Sequence, residues 1–289
     1  MELSWEQVDN IIDLALAEDI SHGDPTSELL IPPGLQGKAS ILAKARGRLA
    51  GGEVARRVFI KVDPSLEVGV LIKDGAEIQP GDIIATVYGN VASVLKAERV
   101  AINFLQRLSG IASQTAQYVA KTQGLVVNIV DTRKTTPALR LLEKYAVRMG
   151  GGKNHRFHLG DGILIKDNHL VALRALGMSL KDIVAKAKQN APQDLTVEVE
   201  VNTAEEALEA VEGGADIIML DNMSPDEMGR VVGLISGQAK IEASGGITLD
   251  NVREAAMTEV NIISIGALTH SSKALDISLE LEPQSINVL

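Results

Sequence analysis

The second half of this chain of 289 residues alternates short apolar runs with helical patterns, and this rhythm restricts its fold more than any other feature. Runs such as DIIMLD and NIISIG are almost continuously apolar, which is typical of parallel strands buried on both faces. Repeated strand–helix units predict a parallel sheet, either open or closed into a barrel. The six predicted strands are Val126–Asp131, Gly162–Lys166, Leu195–Val201, Asp216–Asp221, Lys240–Ser244 and Ile262–Gly266. Helices are predicted to begin near Leu180, Thr203, Ser224 and Thr248.

The first half predicts a different, α+β architecture. Short alternating runs in residues 37–87 predict a small antiparallel sheet backed by helices. Ser4 and Gln7 predict a capping box at the start of an N-terminal helix. A long helix is predicted over Ser93–Lys121, with a break near Ser109–Gly110.

The composition argues against several classes of protein. The formal net charge is −10 and aromatic residues make up 2% of the chain, so neither phosphate-backbone binding nor base stacking is expected. The absence of cysteine excludes disulfides, thiol nucleophiles and zinc ribbons. The N-terminal sequence MELSWEQVDN lacks the pattern of a signal peptide, and no apolar run approaches the ~18 residues of a membrane span. We therefore expect a cytoplasmic protein that binds neither nucleic acid nor membrane.

Residues 131–169 form a basic segment within this acidic chain. The segment carries eight Lys or Arg against four acids, and it includes three of the five histidines. It also contains the glycine run 150–152. Such a local excess of positive charge predicts a pocket for a small polyanion, because a nucleic-acid surface would be more broadly basic.

Each predicted strand of the second half ends in a polar residue or a glycine. The ends are Asp131–Lys134, Lys166–Asn168, Glu200, Asp221–Asn222, Ser244–Gly246 and Gly266. Because the carboxyl ends of barrel strands converge on one mouth, these groups are predicted to form the site. The glycine loops after the last two strands suit a phosphate, and Glu200 with Asp221 suits a hard cation such as Mg²⁺. Glu198 has the parity of Glu200, so it is expected on the same face, further from the mouth.

Two other interpretations of these residues remain open from the pattern alone. Lys166 at a strand end suits a Schiff-base lysine of a barrel aldolase, although that chemistry does not require so many further cations. His155, His158 and His169 suggest a transition-metal site, but the cations around them would repel a metal ion.

Three motifs resemble the quinolinate phosphoribosyltransferase family, also called carboxylating nicotinate-nucleotide pyrophosphorylases. They are DTRKTTP at 131–137, GGKNHR at 151–156 and LIKDNH at 164–169. The resemblance extends through Glu18-Asp19, Gly23–Thr26, Glu98–Asn103, Glu198–Val201, Leu220–Asn222, Ala243–Gly246 and Gly266–His270, and therefore covers nearly the whole chain. Ala138 is a departure, since the family usually has glycine after this proline.

The resemblance implies an α/β fold, an incomplete TIM-like barrel with an N-terminal α+β sandwich domain. The N-terminal domain is expected over residues 1–110 and the barrel over 111–271, with the tail 272–289 packing on the first domain. The implied reaction joins quinolinate to phosphoribosyl pyrophosphate with Mg²⁺, and gives nicotinate mononucleotide, pyrophosphate and CO₂ on the de novo route to NAD. The implied assembly is a homodimer or an assembly of dimers, in which Arg99 enters the partner's pocket.

The resemblance also implies roles for individual residues. Catalytic roles fall on Lys134, Lys166, Glu200 and Asp221, and the last two are the implied metal ligands. Substrate binding falls on Arg99, Thr132, Arg133, Lys134, His155, Arg156, Lys166, Glu200, Asp221, Ser244, Gly245, Gly246, Ile265, Gly266, Ala267 and His270. Within this set, Arg99, Arg133, His155, Arg156 and Lys166 would hold the quinolinate carboxylates. Ser244–Gly246 with Gly266 would hold the 5′-phosphate.

Three competing functions can be separated by simple observations. A nicotinate or nicotinamide phosphoribosyltransferase of salvage would use a similar barrel, but its base carries at most one carboxylate. A barrel aldolase would be trapped by borohydride through Lys166. A phosphate-binding scaffold protein would show no turnover.

Overall fold

The computed structural model describes residues 3–288, so the outermost residues of the predicted domain ranges, 1, 2 and 289, lie outside the described part. The helices are α1 Trp5–Ile20, α2 Pro25–Leu30, α3 Gly52–Val62, α4 Val91–Lys121, α5 Arg140–Met149, α6 Asp167–Arg174, α7 Leu180–Asn190, α8 Ala204–Glu212, α9 Pro225–Ile235, α10 Val252–Met257 and α11 Ala267–His270. The strands are β1 Leu35–Ala43, β2 Gly47–Arg48, β3 Glu67–Val70, β4 Glu77–Ile78, β5 Ile83–Asn90, β6 Asn128–Val130, β7 Ile163–Ile165, β8 Val197–Val201, β9 Ile217–Asp221, β10 Lys240–Ser244, β11 Ile262–Ser264, β12 Ile277–Leu281 and β13 Asn287–Val288. Within the described residues, none of these helices is long and apolar enough to cross a bilayer.

The chain forms two compact units. Among the described residues, the first contains 3–116, 135–151 and 268–288, and the second contains 117–134 and 152–267. The expected boundary at 110/111 lies within α4, and residues 135–151 group with the N-terminal residues although they were expected in the barrel domain. Local bonding explains this grouping, because the Tyr145 hydroxyl of α5 donates to Asp74 at 2.6 Å.

The first unit contains an antiparallel sheet, as the alternating runs of the sequence predict. Its strand order is β12-β1-β5-β3, and β13 pairs with the beginning of β1. Ala39 at the centre of β1 lies opposite both Leu281 and Val87. The C-terminal tail therefore supplies two strands to the sheet of the first unit, whose core includes the fully buried Ile41 and Phe59.

The long helix α4 is continuous, so the predicted break near Ser109–Gly110 is wrong. Gly110 serves close packing, because a Cβ at this position would lie 2.0 Å from the carbonyl oxygen of Lys273. The tail passes along the helix here, and the N–H of Leu275 donates to the Gln106 carbonyl at 2.9 Å. Tertiary packing thus offsets the weak helix propensity of glycine, which is about 1 kcal/mol below that of alanine.

Two of the four helix starts predicted from capping residues agree with the structure. Thr203 and Ser224 cap α8 and α9, and each side chain accepts from a backbone N–H of the first turn. Ser4 precedes α1, but its side chain makes no capping hydrogen bond, so the predicted capping box is absent. α10 begins at Val252 rather than near Thr248, because Thr248 N–H donates to the Asn251 side chain in a preceding turn.

The second unit contains the six predicted strands in one parallel sheet. Their order is β6-β11-β10-β9-β8-β7, with β6 and β7 at the two edges of the sheet. A complete barrel of this type has eight strands, so six strands form an incomplete barrel. The register places Glu200 beside Met219 and Asp221 beside Ser244, which brings the polar carboxyl ends of β8, β9 and β10 to one edge.

Ala138 adopts a backbone conformation that favours glycine, with φ of 65°. Left-handed backbone costs a non-glycine residue roughly 1–2 kcal/mol, whereas glycine loses about 0.5–1 kcal/mol through chain entropy. Ala138→Gly is therefore expected to leave the free energy of unfolding unchanged or raise it by up to about 1 kcal/mol. Ala17→Gly, at an exposed position of α1, should instead lower it by about 1 kcal/mol. Denaturant unfolding of both variants tests this, and an equal loss of stability in both would contradict it.

Candidate active site

A cavity of about 290 Å³ lies at the carboxyl ends of the parallel strands in the second unit. It is lined by Thr132, Arg133, Lys134, His155, Arg156, Leu164, Lys166, Glu200, Met219, Asp221, Glu242, Ser244 and Ser264. Cations and carboxylates thus face one another across a small space. Such a convergence of charged groups at strand ends is the usual arrangement of a barrel enzyme's active site.

The structure brings nine of the predicted site residues together in this cavity. They are Thr132, Arg133, Lys134, His155, Arg156, Lys166, Glu200, Asp221 and Ser244. Gly245 and Gly246 follow Ser244, and Ile265, Gly266 and Ala267 follow Ser264. Arg99 and His270 belong to the first unit, where both are exposed.

Sequence reasoning missed four residues that line the cavity, Leu164, Met219, Glu242 and Ser264. Glu242 precedes Ser244 by two residues, as Glu198 precedes Glu200, and a period of two identifies residues on the same face of a strand. This signal was available in the sequence and would have identified Glu242. The parity prediction for Glu198 is confirmed, because Glu198 lines a second cavity of about 200 Å³ that shares His155, Arg156 and Glu242 with the first.

His155 lines both cavities and lies close to two buried carboxylates. Its Nε2 lies 3.1 Å from Glu198 Oε2 and 3.4 Å from Glu242 Oε2. Its Nδ1 accepts from the backbone N–H of Arg156 at 2.9 Å, which favours the tautomer with the proton on Nε2. Burial lowers the pKa of His155, but the hydrogen bonds to Glu198 and Glu242 outweigh it and raise this pKa to about 10. The bond from Arg156 N–H to Nδ1 opposes a second ring proton, so the proton that these contacts hold at neutral pH lies on Nε2, next to the two carboxylates.

His155, Glu198 and Glu242 are also the group of His and acidic side chains closest to a metal-ligand arrangement within residues 3–288. The predicted alternative, a site built from three histidines, does not form there. His158 pairs with Asp161 at 2.9 Å, and His169 Nδ1 accepts from Lys166 N–H at 3.0 Å at the start of α6. These two histidines stabilise local turns.

The charge of Asp221 lies close enough to Glu200 to affect the ionisation of Glu200. Burial raises the pKa of Glu200, the charge of Asp221 raises it further, and Lys166 and Lys134 lower it. A divalent cation would relieve this repulsion, and carboxylate oxygens are its preferred ligands. The acid pair therefore fits the implied Mg²⁺.

The loop after β10 approaches the residue that follows Asp221. Gly245 has φ of 83°, and a Cβ there would lie 2.4 Å from Asn222 Oδ1. The Asn222 amide in turn donates to Asp221 Oδ2 at 2.9 Å. Glycine at this position therefore permits an arrangement that orients one carboxylate of the acid pair.

Gly245→Ala is expected to lower kcat/KM by about 10²-fold, because the added methyl group displaces Asn222 and with it Asp221. Gly237 is a matched control, since its φ is 80° and no atom lies within 4 Å of its added Cβ. Both substitutions carry the same backbone strain, so Gly237→Ala should keep near wild-type activity. Equal activity of the two variants in steady-state kinetics would show that the contact with Asn222 has no catalytic consequence.

Asp131, directly after β6, holds residues 154 and 155, which precede Arg156. The side chain is fully buried, and it accepts from His155 N–H at 3.0 Å and from the Asn154 amide at 2.5 Å. Beside this segment, burial lowers the pKa of Arg156, and the neighbouring charge of Arg133 lowers it further. A dianionic ligand would relieve the repulsion between these two guanidinium groups.

Two family models match the chain. The model of the quinolinate phosphoribosyl transferase N-terminal domain matches residues 24–109, and that of its C-terminal domain matches residues 111–280. A probable nicotinate-nucleotide pyrophosphorylase [carboxylating] of Bacillus subtilis is 44% identical over 276 residues, which cover 95% of this chain and 93% of the relative. A relative of the same name from Synechocystis is 42% identical, with 96% and 93% covered. Among solved structures, that of NadC from Streptococcus pyogenes superposes on this chain with a TM-score of 0.92. The two sequences are 43% identical, and the match covers 100% of this chain and 99% of that one.

Proposed function

The chain belongs to the quinolinate phosphoribosyltransferase family, and we propose that its barrel cavity is the active site of this reaction. The enzyme transfers the phosphoribosyl group of phosphoribosyl pyrophosphate to quinolinate. Decarboxylation follows and gives nicotinate mononucleotide, pyrophosphate and CO₂ for the synthesis of NAD. The observation that carries this assignment is a cation cluster facing an acid pair in one small cavity.

The cation cluster suits the binding of quinolinate, a rigid dianion with two adjacent carboxylates. Arg133 and Arg156 offer planar guanidinium groups, which bind carboxylates through two parallel hydrogen bonds. Lys166, which also lines the cavity, adds a point charge. The ring nitrogens of His155 are already bonded to Arg156 N–H and to buried carboxylates, so its contribution is to hold the backbone beside Arg156 in place.

The remaining charged groups suit phosphoribosyl pyrophosphate. Lys134 and Lys166 would neutralise the pyrophosphate, and Ser244–Gly246 with the segment Ile265–Ala267 would hold the 5′-phosphate. Glu200 and Asp221 would hold the ribose side and Mg²⁺. When bound, Mg²⁺ supplies charge neutralisation to the leaving pyrophosphate.

The chemistry then follows from the fixed charges. As pyrophosphate departs with its electron pair, positive charge develops on C1 of the ribose, and the carboxylates of Glu200 and Asp221 stabilise it. The ring nitrogen of quinolinate forms the new bond to C1 and becomes a pyridinium. This pyridinium accepts the electron pair released when the bond from C2 to its carboxylate breaks, and a proton takes the place of CO₂ at C2.

The direct test is incubation of the purified protein with quinolinate, phosphoribosyl pyrophosphate and Mg²⁺. Nicotinate mononucleotide should form, and omission of any component should prevent it. Borohydride should not trap a substrate on Lys166. Absence of the nucleotide, or a substrate joined to Lys166 after borohydride reduction, would refute the proposed function.

Because its substrates are highly charged and do not cross apolar bilayers, we also propose that the enzyme acts in the cytoplasm.

We further propose that the enzyme is at least a dimer and that Arg99 acts in the partner's cavity. Arg99 is exposed on α4, and an exposed ion pair is worth only ~0–1 kcal/mol, so a solvated arginine there could be removed with little effect. In the proposed dimer, Arg99→Ala should instead abolish nearly all activity. Size-exclusion chromatography with light scattering tests the assembly.

Mixing two inactive variants tests the shared cavity. After subunit exchange between Arg99→Ala and Lys134→Ala, about half of the dimers should be hybrids with one intact cavity each, so roughly a quarter of wild-type activity should return. Confirmed exchange without recovered activity would contradict a shared cavity.

A further inference from the structure

A buried carboxylate in the first unit holds the chain segment that follows Lys134. Glu143 on α5 is 0% exposed, and it accepts from the Thr136 N–H at 3.1 Å and from the Thr136 hydroxyl at 2.8 Å. Arg107 on α4 donates to the same carboxylate from Nη2 at 2.7 Å and from Nε at 3.2 Å. These four bonds compensate a buried charge that would otherwise be costly.

Arg107 also binds the segment that follows the last barrel strand. Its Nη1 donates to the carbonyl and hydroxyl oxygens of Ser272, both at 3.2 Å, and its Nη2 donates to the carbonyl oxygen of Thr269. A guanidinium has five donors in one plane, so it can bridge such separated acceptors, whereas an ammonium group is a compact point charge. Arg107 therefore connects α4, the segment 136–143 and the segment 269–272 within one hydrogen-bond network.

Each of the two segments directly follows a loop that carries predicted substrate-binding residues. Thr136 follows Lys134 by two residues, and Thr269 follows Ala267 by two. Two residues of extended chain span at most about 7 Å, so a restraint on Thr136 and Thr269 limits where the preceding loop residues can lie. The network thus restrains two loops at the same time. One carries Arg133 and Lys134, and the other is the segment 265–267, which is predicted to bind phosphate.

We propose that Arg107 and Glu143 are positioning residues that hold these two loops in the conformation that binds substrate. The identity of the substrates rests on the proposed function, whereas the restraint on the loops does not. Neither side chain belongs to the residues that line the barrel cavity, so their effect on the reaction is exerted through the loops.

The kinetic test uses Arg107→Lys and Thr136→Val with matched controls. Arg57 has the same side-chain exposure as Arg107, 29%, and also donates to a carboxylate, that of Asp9, at 3.0 Å. The Thr258 hydroxyl donates to the Ala255 carbonyl at the end of α10. We expect kcat/KM to fall about 10²-fold in Arg107→Lys and about tenfold in Thr136→Val, with a raised KM for both substrates. Arg57→Lys and Thr258→Val should stay within threefold of wild type.

Limited trypsin digestion provides a readout that needs no substrate. Release of the loop should speed cleavage after Arg133 and Lys134, measured by mass spectrometry, in Arg107→Lys and Thr136→Val but not in the controls. Amide hydrogen exchange at residues 132–136 should accelerate in the same two variants. If Arg107→Lys does not fold, Thr136→Val alone decides the outcome.

Two results would overturn the proposal. One is a loss of thermal stability with unchanged kcat/KM and unchanged cleavage at residues 133–135, which would assign the pair a purely structural role. The other is an equal loss of activity in the control variants. If wild-type protein shows no turnover, the proposed function fails, and the trypsin and exchange measurements still decide whether the pair positions the loops.

Discussion

Nicotinate is expected to be a poor substrate, with kcat/KM about 10²- to 10⁴-fold below that of quinolinate. Nicotinate lacks the second carboxylate, so the guanidinium groups of Arg133 and Arg156 lose their charge-assisted contacts to it. Each such contact is worth about 1.5–3 kcal/mol, and two lost contacts give this range. The guanidinium groups that nicotinate leaves unpaired add to this loss. Burial and the charge of Arg133 already disfavour the charged form of Arg156, as its lowered pKa indicates.

Steady-state kinetics with the two substrates measures this discrimination. Arg156→Gln should lower the ratio of kcat/KM for quinolinate to kcat/KM for nicotinate by at least about tenfold. The substitution removes a contact that quinolinate makes and nicotinate cannot. Comparable efficiency with both substrates would refute the carboxylate assignment and favour a salvage phosphoribosyltransferase.

Replacement of both Glu200 and Asp221 by alanine is expected to lower kcat by at least about 10³-fold, since single preorganised groups of this kind contribute 10²–10³. Excess chelator should abolish turnover of the wild-type enzyme, and added Mg²⁺ should restore it. Asp226→Ala, which removes an exposed acid in the first turn of α9, is the control and should retain full activity. Full activity in chelator would exclude the proposed metal requirement.

The same acid pair is expected to reduce the stability of the protein without ligands. Folding raises the pKa of Glu200, so its contribution favours the fold below the ordinary pKa and is lost as pH rises through the raised pKa. Glu200→Gln should therefore raise the unfolding temperature in chelator at pH 7, while it abolishes turnover. A stabilised but inactive variant separates a catalytic role from a structural one.

The sequence predicted the strands of the second unit well, because buried parallel strands are nearly continuous apolar runs with polar ends. It also predicted which residues of β8 share a face, since a strand has a fixed period of two. The same rule places Glu242 on the face of Ser244, two residues before the polar end of β10. Side chains deeper in the barrel were missed.

Other features depend on tertiary contacts that no local pattern contains. Gly110 reads as a helix break, yet the close passage of Lys273 requires it within a continuous helix. The pairing of His155 with Glu198 and Glu242 joins residues that are distant in the chain. The grouping of α5 with the first unit likewise rests on side-chain contacts, such as that of Tyr145 with Asp74.

Isotope-labelled quinolinate tests most directly whether this cavity couples phosphoribosyl transfer to the loss of one carboxylate. Two substrates are required, one with ¹³C in the 2-carboxylate and the other with ¹³C in the 3-carboxylate, each supplied with phosphoribosyl pyrophosphate and Mg²⁺. We expect one labelled CO₂ per pyrophosphate from the first substrate, and labelled nicotinate mononucleotide with unlabelled CO₂ from the second. Pyrophosphate release without CO₂, or a nucleotide that retains both carboxylates, would contradict this coupling.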